Sequence, residues 1–231
     1  MKENKESVRV SLVELGPGVR YGKALAVQQE RLAGLMEGVL PPSLVLCEHA
    51  PVITLGRNAG ESGVLASPET LSGLGIGLCR TGRGGKATVH SPGQAVAYPV
   101  LNLRAFGISP KEYVKTLEEW MLSTLTRFGV EGFRREGKPG IYTRRGKIGA
   151  LGVALSRGYS HHGIAFNVSN DLALYDLILP CGERDIAPVS LKSEGAKTST
   201  EEVFEALKRE FERIFGIELV DSPRDEVQDL L

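Results

Sequence analysis

The chain carries no excess of charge. Lys plus Arg and Asp plus Glu each number 28, so the formal net charge is zero. A global basic field of the kind that holds nucleic acid is therefore absent. Cysteine is scarce: Cys47, Cys79 and Cys181 are the complete set. An odd number, widely spaced and with no CxxC pair, argues against a disulfide framework and for a reducing compartment. Cys47-Glu48-His49 is too tight for ordinary zinc-ligand spacing, so no structural metal is expected. No run approaches the roughly 18 apolar residues of a membrane span. The first residues lack the apolar core of a signal peptide. These absences lead to the expectation of a soluble, cytoplasmic chain without membrane or nucleic-acid partners.

What is present is 231 residues, 42% of them hydrophobic, enough to bury a core without staples. No repeat, low-complexity tract or linker interrupts them, and one domain over 1–231 is expected. Residues 7–13 predict a first strand. Tyr21, Leu25, Gln28, Leu32 and Leu35 predict one helix face, and Pro41-Pro42 ends that unit. Short strands are predicted at 43–46 and 52–55. A long Gly/Ser/Pro-rich loop follows at 57–75, and such loops are often functional. Alternating segments lie at 76–80, 87–90 and 95–101. Ser109-Pro110-Lys111-Glu112 is a capping box with proline at the first helical position. The helix it opens carries Tyr113, Leu117, Met121, Leu125 and Phe128 and stops at Gly129. Strands are predicted at 140–144, 147–155 and 162–168, with turns at Arg145-Gly146 and Gly158. Ser199 and Glu202 open a last helix with Val203, Leu207, Phe211 and Ile214 inward, stopping at Gly216. Residues 217–231 read as a peripheral tail. Few helices and many short, mostly antiparallel strands predict an α+β fold: a mixed sheet flanked by helices.

Four segments carry candidate chemistry. The first is Glu48 through Arg57. The second is Arg83-Gly84-Gly85-Lys86-Ala87-Thr88-Val89-His90, continuing through Ser91-Pro92-Gly93-Gln94. The Arg-Gly-Gly turn can offer backbone donors to a phosphate or carbonyl. It is no P-loop, because Arg80 stands where that motif needs its first glycine. The third segment is Lys147 to Val153. A lysine entering an apolar strand is expected to be partly desolvated, which lowers its pKa and suits it to proton transfer. Gly149 and Gly152 allow close approach of a ligand or backbone. The fourth is His161 to Val168, followed by Pro180-Cys181-Gly182. His161 and His162 should point to opposite faces of a strand. A free cysteine is ordinarily a small buried hydrophobe. Between proline and glycine, however, Cys181 sits on a turn whose N–H groups can favour a thiolate and an oxyanion. Between Phe133 and Lys147, Arg134, Arg135, Lys138, Arg144, Arg145 and Lys147 face one acid, Glu136. That excess suits an acidic partner or a phosphate, or is simply a solvated face.

Taken together, the segments resemble the octanoyltransferase family of lipoate biosynthesis, over about Leu12 to Phe215. The marks are Arg83-Gly84-Gly85 with His90-Ser91-Pro92-Gly93-Gln94 and Tyr98-Pro99, then Lys147 to Val153, His162 to Val168 and Pro180 to Gly182. The chain departs from the family pattern in three places: Ser91 and Gly149 stand for a glycine and an alanine, and Val189 falls where a hydroxyl is usual.

The resemblance implies a fold similar to the catalytic domains of lipoate and biotin protein ligases. It implies transfer of an octanoyl group from octanoyl-acyl carrier protein to a lysine of lipoyl domains, those of 2-oxoacid dehydrogenases and of the glycine cleavage H protein. Cys181 and Lys147 would form the catalytic dyad, with Cys181 carrying the acyl group as a thioester. Residues Arg83 to His90, Gly149, Ala150, Leu151, His162, Gly163, Ile164 and Ala165 would line the substrate site. No cofactor or metal is implied. Two other classes stay open on sequence: an ATP-dependent lipoate–protein ligase, and a non-catalytic protein of the same fold.

Overall fold

A computed structural model describes residues 7–60, 63–179 and 187–222. In chain order the elements are β1 (Val8–Glu14), α1 (Tyr21–Glu37), β2 (Ser43–Cys47), β3 (Val52–Leu55), α2 (Pro68–Gly73), β4 (Gly77–Arg80), β5 (Ala87–His90), β6 (Gln94–Val100) and α3 (Pro110–Thr126). There follow β7 (Phe133–Arg135), β8 (Lys138–Tyr142), β9 (Lys147–Ser156), β10 (Tyr159–Asn167), a 3-10 turn (Leu172–Leu177), α4 (Thr200–Phe215) and β11 (Ile217–Asp221). Eight strands form one sheet in the order β11-β1-β2-β6-β10-β9-β8-β7, and three form a second, β4-β3-β5. The pairs β1–β11, β1–β2 and β3–β4 are parallel, and the remaining pairs are antiparallel.

The large sheet is covered on both faces. Along β2 and β6, Leu44, Leu46, Ala95 and Ala97 point to one side and Val45, Cys47, Val96 and Tyr98 to the other, and every one is buried. That is the period-2 signature of a strand with apolar cover on both sides. The first side packs against α3 and α4 through Tyr113, Leu117, Trp120, Met121, Leu207 and Phe211. Trp120 fixes the two helices to each other, its Nε1–H donating to the Leu207 carbonyl at 2.8 Å. Both capping boxes form as the sequence predicts, at Ser109/Glu112 and Ser199/Glu202. The second side is covered by α1, and the small sheet buries a core of its own with α2 and the 3-10 turn.

Three expectations need correction. In α1 the face turned fully inward is Tyr21, Ala24, Val27, Gln28, Arg31 and Gly34, while Leu25, Leu32 and Leu35 are half-buried. Small residues let the helix lie close to the sheet, so the leucines fall to its flanks. The loop at 57–75 contains α2, capped by Ser67 accepting from Thr70 N–H, with proline at the helix start. The expected tail begins instead with β11, whose residues Ile217 to Asp221 pair in parallel with Val8 to Leu12. Residues 223–231 lie outside the described residues. Among the described residues, no helix is long and apolar enough to cross a membrane.

Candidate active site

The small sheet approaches the large one where the Arg83-Gly84-Gly85 turn meets β9. Gly84 N–H donates to the Val153 carbonyl at 2.8 Å. The turn is held from behind by its own arginine. Arg83 is buried. Its Nε donates to Thr54 Oγ1, its Nη2 to the carbonyls of Thr54 and Lys86 and to Thr54 Oγ1, and its Nη1 to the Gly84 carbonyl, at 2.6 to 3.2 Å. The guanidinium thus staples β3 to the turn, and this planar fork of donors is beyond what lysine offers.

Between these walls lies a cleft of about 530 Å³. Of the residues singled out from sequence, Arg83, Gly85, Lys86, Ala87, Thr88, His90, Lys147, Ala150, Leu151, His162, Gly163, Ile164 and Ala165 line it. Gly84 lines an adjoining groove of about 1050 Å³ that shares Gly85, Lys86, Lys147 and Leu151 with the cleft. Val89 is turned into the core of the small sheet. Gly149 faces Ile141 and Met121, toward α3; a Cβ there would stand 2.7 and 2.8 Å from their side chains. Cys181, with Pro180 and Gly182, lies outside the described residues. Gly152, expected from the sequence to allow close approach of a ligand or backbone, lines the cleft too, as do Tyr21 and Tyr98. The pattern placed Tyr21 on the inward helix face but gave no sign that it borders a cavity.

One side of the cleft is backed by a cluster of rings, of which Tyr21 and His90 stack. Tyr21 lies 5.2 Å from His49 and 6.1 Å from His90, and Tyr98 lies 6.5 Å from His162. His49 Nδ1 is 3.0 Å from the Val19 carbonyl, which can only accept, so this nitrogen bears the proton. Its Nε2, 2.7 Å from Tyr98 Oη, then accepts from the phenol. His90 Nδ1 likewise donates to Gln94 Oε1 at 2.7 Å. Gln94 is held in turn by Asn167 and Tyr175. Burial, which penalises the imidazolium, pushes His49 down to about 4 and His90 and His162 down to about 3. The neighbouring imidazoles and Arg83 lower His90 and His162 further. Burial raises the Tyr21 phenol to about 12. The rings are therefore neutral at physiological pH. His161 and His162 do not point apart as a regular strand requires. His162 sits at φ +56°, which breaks the alternation and leaves the two rings 4.8 Å apart. Gln28 from α1 accepts the His162 N–H at 2.9 Å and supports that conformation.

Lys147 stands where the cleft and the groove join, half-buried at the start of β9. Its ammonium donates to the Pro139 carbonyl at 2.8 Å and lies 5.4 Å from the Tyr142 ring centre. Gly140, at φ +113°, makes room for it: a Cβ there would come 2.7 Å from Lys147 Cε and 2.5 Å from the Gly149 carbonyl. Glu118 of α3 pins this turn by accepting Gly140 N–H at 3.0 Å. The Lys147 backbone is tied as well, its N–H donating to the Ala187 carbonyl at 2.9 Å and its carbonyl accepting from Val189 N–H at 3.0 Å. The segment that follows Cys181 in sequence is thus fastened to the residue that presents the ammonium. The local basic excess is partly offset by distant acids: Arg134 pairs with Glu118 and Glu119, Arg144 with Glu131 and Arg145 with Glu194.

A family model, lipoyl protein ligase A/B catalytic domain, matches residues 20–212. An octanoyltransferase from Maridesulfovibrio salexigens is 39% identical over 207 residues, covering 89% of this chain and 96% of the relative. One from Acidobacterium capsulatum is 38% identical, covering 96% of this chain and 97% of the relative. Among solved structures, a lipoate–protein ligase A bound with ATP superposes with a TM-score of 0.76 at 19% identity, covering 96% of this chain and 92% of that one. The bipartite lipoate protein ligase of Thermoplasma acidophilum gives 0.72 at 18% identity, covering 96% and 90%. The likeness to these ligases is one of fold.

Proposed function

The chain belongs to the lipoyl protein ligase A/B catalytic domain family, with octanoyltransferases as relatives over most of its length, and we propose that it moves an octanoyl group from octanoyl-acyl carrier protein to a lysine of lipoyl domains in the cytoplasm. It is an acyltransferase, and the proposed chemistry is covalent. Lys147, entering the step as its neutral amine, takes the proton of the Cys181 thiol and becomes the ammonium. The thiolate adds to the carbonyl carbon of the donor thioester, and the oxyanion rests on Gly182 N–H and neighbouring amides. The carrier sulfur leaves as the intermediate collapses, and the proton held on Lys147 passes to it. The acceptor amine then adds to the Cys181 thioester, loses a proton to Lys147, and expels the thiol as the amide forms. Splitting one transfer into two such steps is what nucleophilic catalysis supplies.

The observation that carries this reading is the seat of Lys147. Its Nζ is held by the Pro139 carbonyl where the cleft and the groove join, and its backbone holds Ala187, six residues beyond Cys181. The cleft supports an acyl ligand. Ala87, Ala150, Leu151, Ile164 and Ala165 offer apolar contact, and each methylene buried there contributes about 0.8 kcal/mol. The histidine rings beside them are uncharged, which limits the polarity an acyl chain meets.

The test is intact mass spectrometry after incubation with octanoyl-acyl carrier protein in the absence of ATP. One octanoyl adduct, removable by hydroxylamine and missing in Cys181→Ser, is the expected result. Absence of any adduct, together with no transfer to a lipoyl domain, would refute the proposal. Transfer that needs ATP and free octanoate would make the chain a ligase.

A further inference from the structure

A second groove opens beside the cleft, between α3 and the β7–β8 hairpin. It is shallow and open to solvent, and it meets the cleft's adjoining groove at Gly137, Lys138 and Pro139. Pro139 is the residue whose carbonyl holds the Lys147 ammonium. Lys111 and Lys115 stand on its helix wall, and Arg134, Arg135 and Lys138 on its hairpin wall. Three acids nearby already have partners, and for two of them a partner is Arg134 of the groove itself. Glu118 is buried and accepts from Gly140 N–H and Arg134, Glu119 pairs with Arg134, and Glu112 caps α3 through Ser109 N–H. Glu136 remains at the turn of the hairpin. Two segments far apart in sequence thus place their basic residues around one concavity, on a chain whose net charge is zero.

We propose that this groove is the docking face for the acyl donor, an acidic carrier protein whose thioester arm is phosphorylated. The inference rests on the acyl transfer proposed above. Two chemical arguments select the donor over the acceptor. The donor brings negative charge on both its surface and its arm, complementary to the lysines of the helix wall and to Arg135 and Lys138 of the hairpin wall. The acceptor brings an ammonium that must approach the same mouth, and a basic rim opposes it. A carrier seated in the groove feeds its arm over Pro139 to the cleft by the shortest course. Such contacts act mainly through long-range attraction, so their effect is on encounter and on salt dependence.

The test uses the full chain with Lys111→Glu/Lys115→Glu. Both residues are exposed on α3 and outside the Lys147 cleft. Lys111→Gln/Lys115→Gln serves as the milder companion should repulsion along the helix unfold the first variant. Octanoyl transfer is measured from the carrier protein and from octanoyl-pantetheine, which has neither protein nor phosphate. The expected result is KM for the carrier raised about tenfold or more by charge reversal, with a weakened dependence on salt. The kcat/KM for octanoyl-pantetheine stays within about twofold of the parent. An unchanged carrier KM, an equal loss with both donors, or a rise confined to the lipoyl-domain acceptor overturns the docking face. If the parent chain moves octanoyl from neither donor, the transferase reading itself fails, and the two failures are told apart.

Discussion

Replacing Gly140 by alanine tests whether the seat of Lys147 governs the chemistry. At φ +113° an L side chain is strained, at about 1–3 kcal/mol. The new methyl would also stand 2.5 Å from the Gly149 carbonyl and 2.7 Å from Lys147 Cε. Overpacking of this kind costs about 1–3 kcal/mol more. The backbone oxygen has little freedom, so the lysine gives way and its bond to Pro139 is lost. A total near 4 kcal/mol lowers the melting temperature of a chain this size by about 8–16 °C. The variant should still fold, given a usual stability of about 5–15 kcal/mol. Displacing a proton-transfer group by about 1 Å costs on the order of 100-fold in rate. The control is Gly137→Ala. Gly137 also has positive φ, at +71°, but a Cβ there meets nothing within 4 Å. It should lose stability and keep activity. The assay is single-turnover acylation beside thermal melting. Gly140→Ala acylating at the parental rate, or both variants losing activity alike, would refute the reasoning.

Two further outcomes follow from buried groups. Arg83→Lys removes the planar fork from four acceptors on Thr54, Gly84 and Lys86, and urea denaturation should show a loss of about 2–4 kcal/mol; a change below about 0.5 kcal/mol would mean the staple is dispensable. His49, His90 and His162 have native pKa values pushed below the ordinary imidazole value, so their contribution is full above about pH 6.5 and is lost as pH falls toward 3–4. At pH 5 each contributes about 2 kcal/mol less than at neutrality, and a melting temperature that stays flat between pH 7 and pH 5 would contradict their neutral burial.

Local signals were legible wherever the chemistry is local. Ser109 and Ser199 cap their helices because the hydroxyl and the glutamate three residues on complete each other within one turn. The Arg145-Gly146 and Gly158 turns are equally self-contained. The cleft was legible because its lining comes from strand segments whose residue types are distinctive as runs. What the sequence hid depends on partners far along the chain. The inward face of α1 is set by a flat sheet that accepts Ala24 and Gly34 more closely than any leucine. β11 is a five-residue segment that becomes a strand because β1 has a free edge. The positive φ of His162 within β10 is supported by Gln28, more than 130 residues away. The Pro139-Gly140 seat needs Glu118 from α3, and nothing in the run from Lys138 to Gly140 announces it. His49 stood in a conspicuous segment, yet its bond to Tyr98 appears only when β2 and β6 are paired.

The parallel pairing of β1 with β11 sets an order of events in synthesis. β1 leaves the ribosome more than 200 residues ahead of the strand that completes its outer edge. Contacts of such wide sequence separation close slowly. Until Ile217 emerges, β1 presents an unpaired edge, the kind of surface on which nascent chains aggregate. A chain stopped at Gly216 would keep every cleft residue described here and still be left with that edge permanently open.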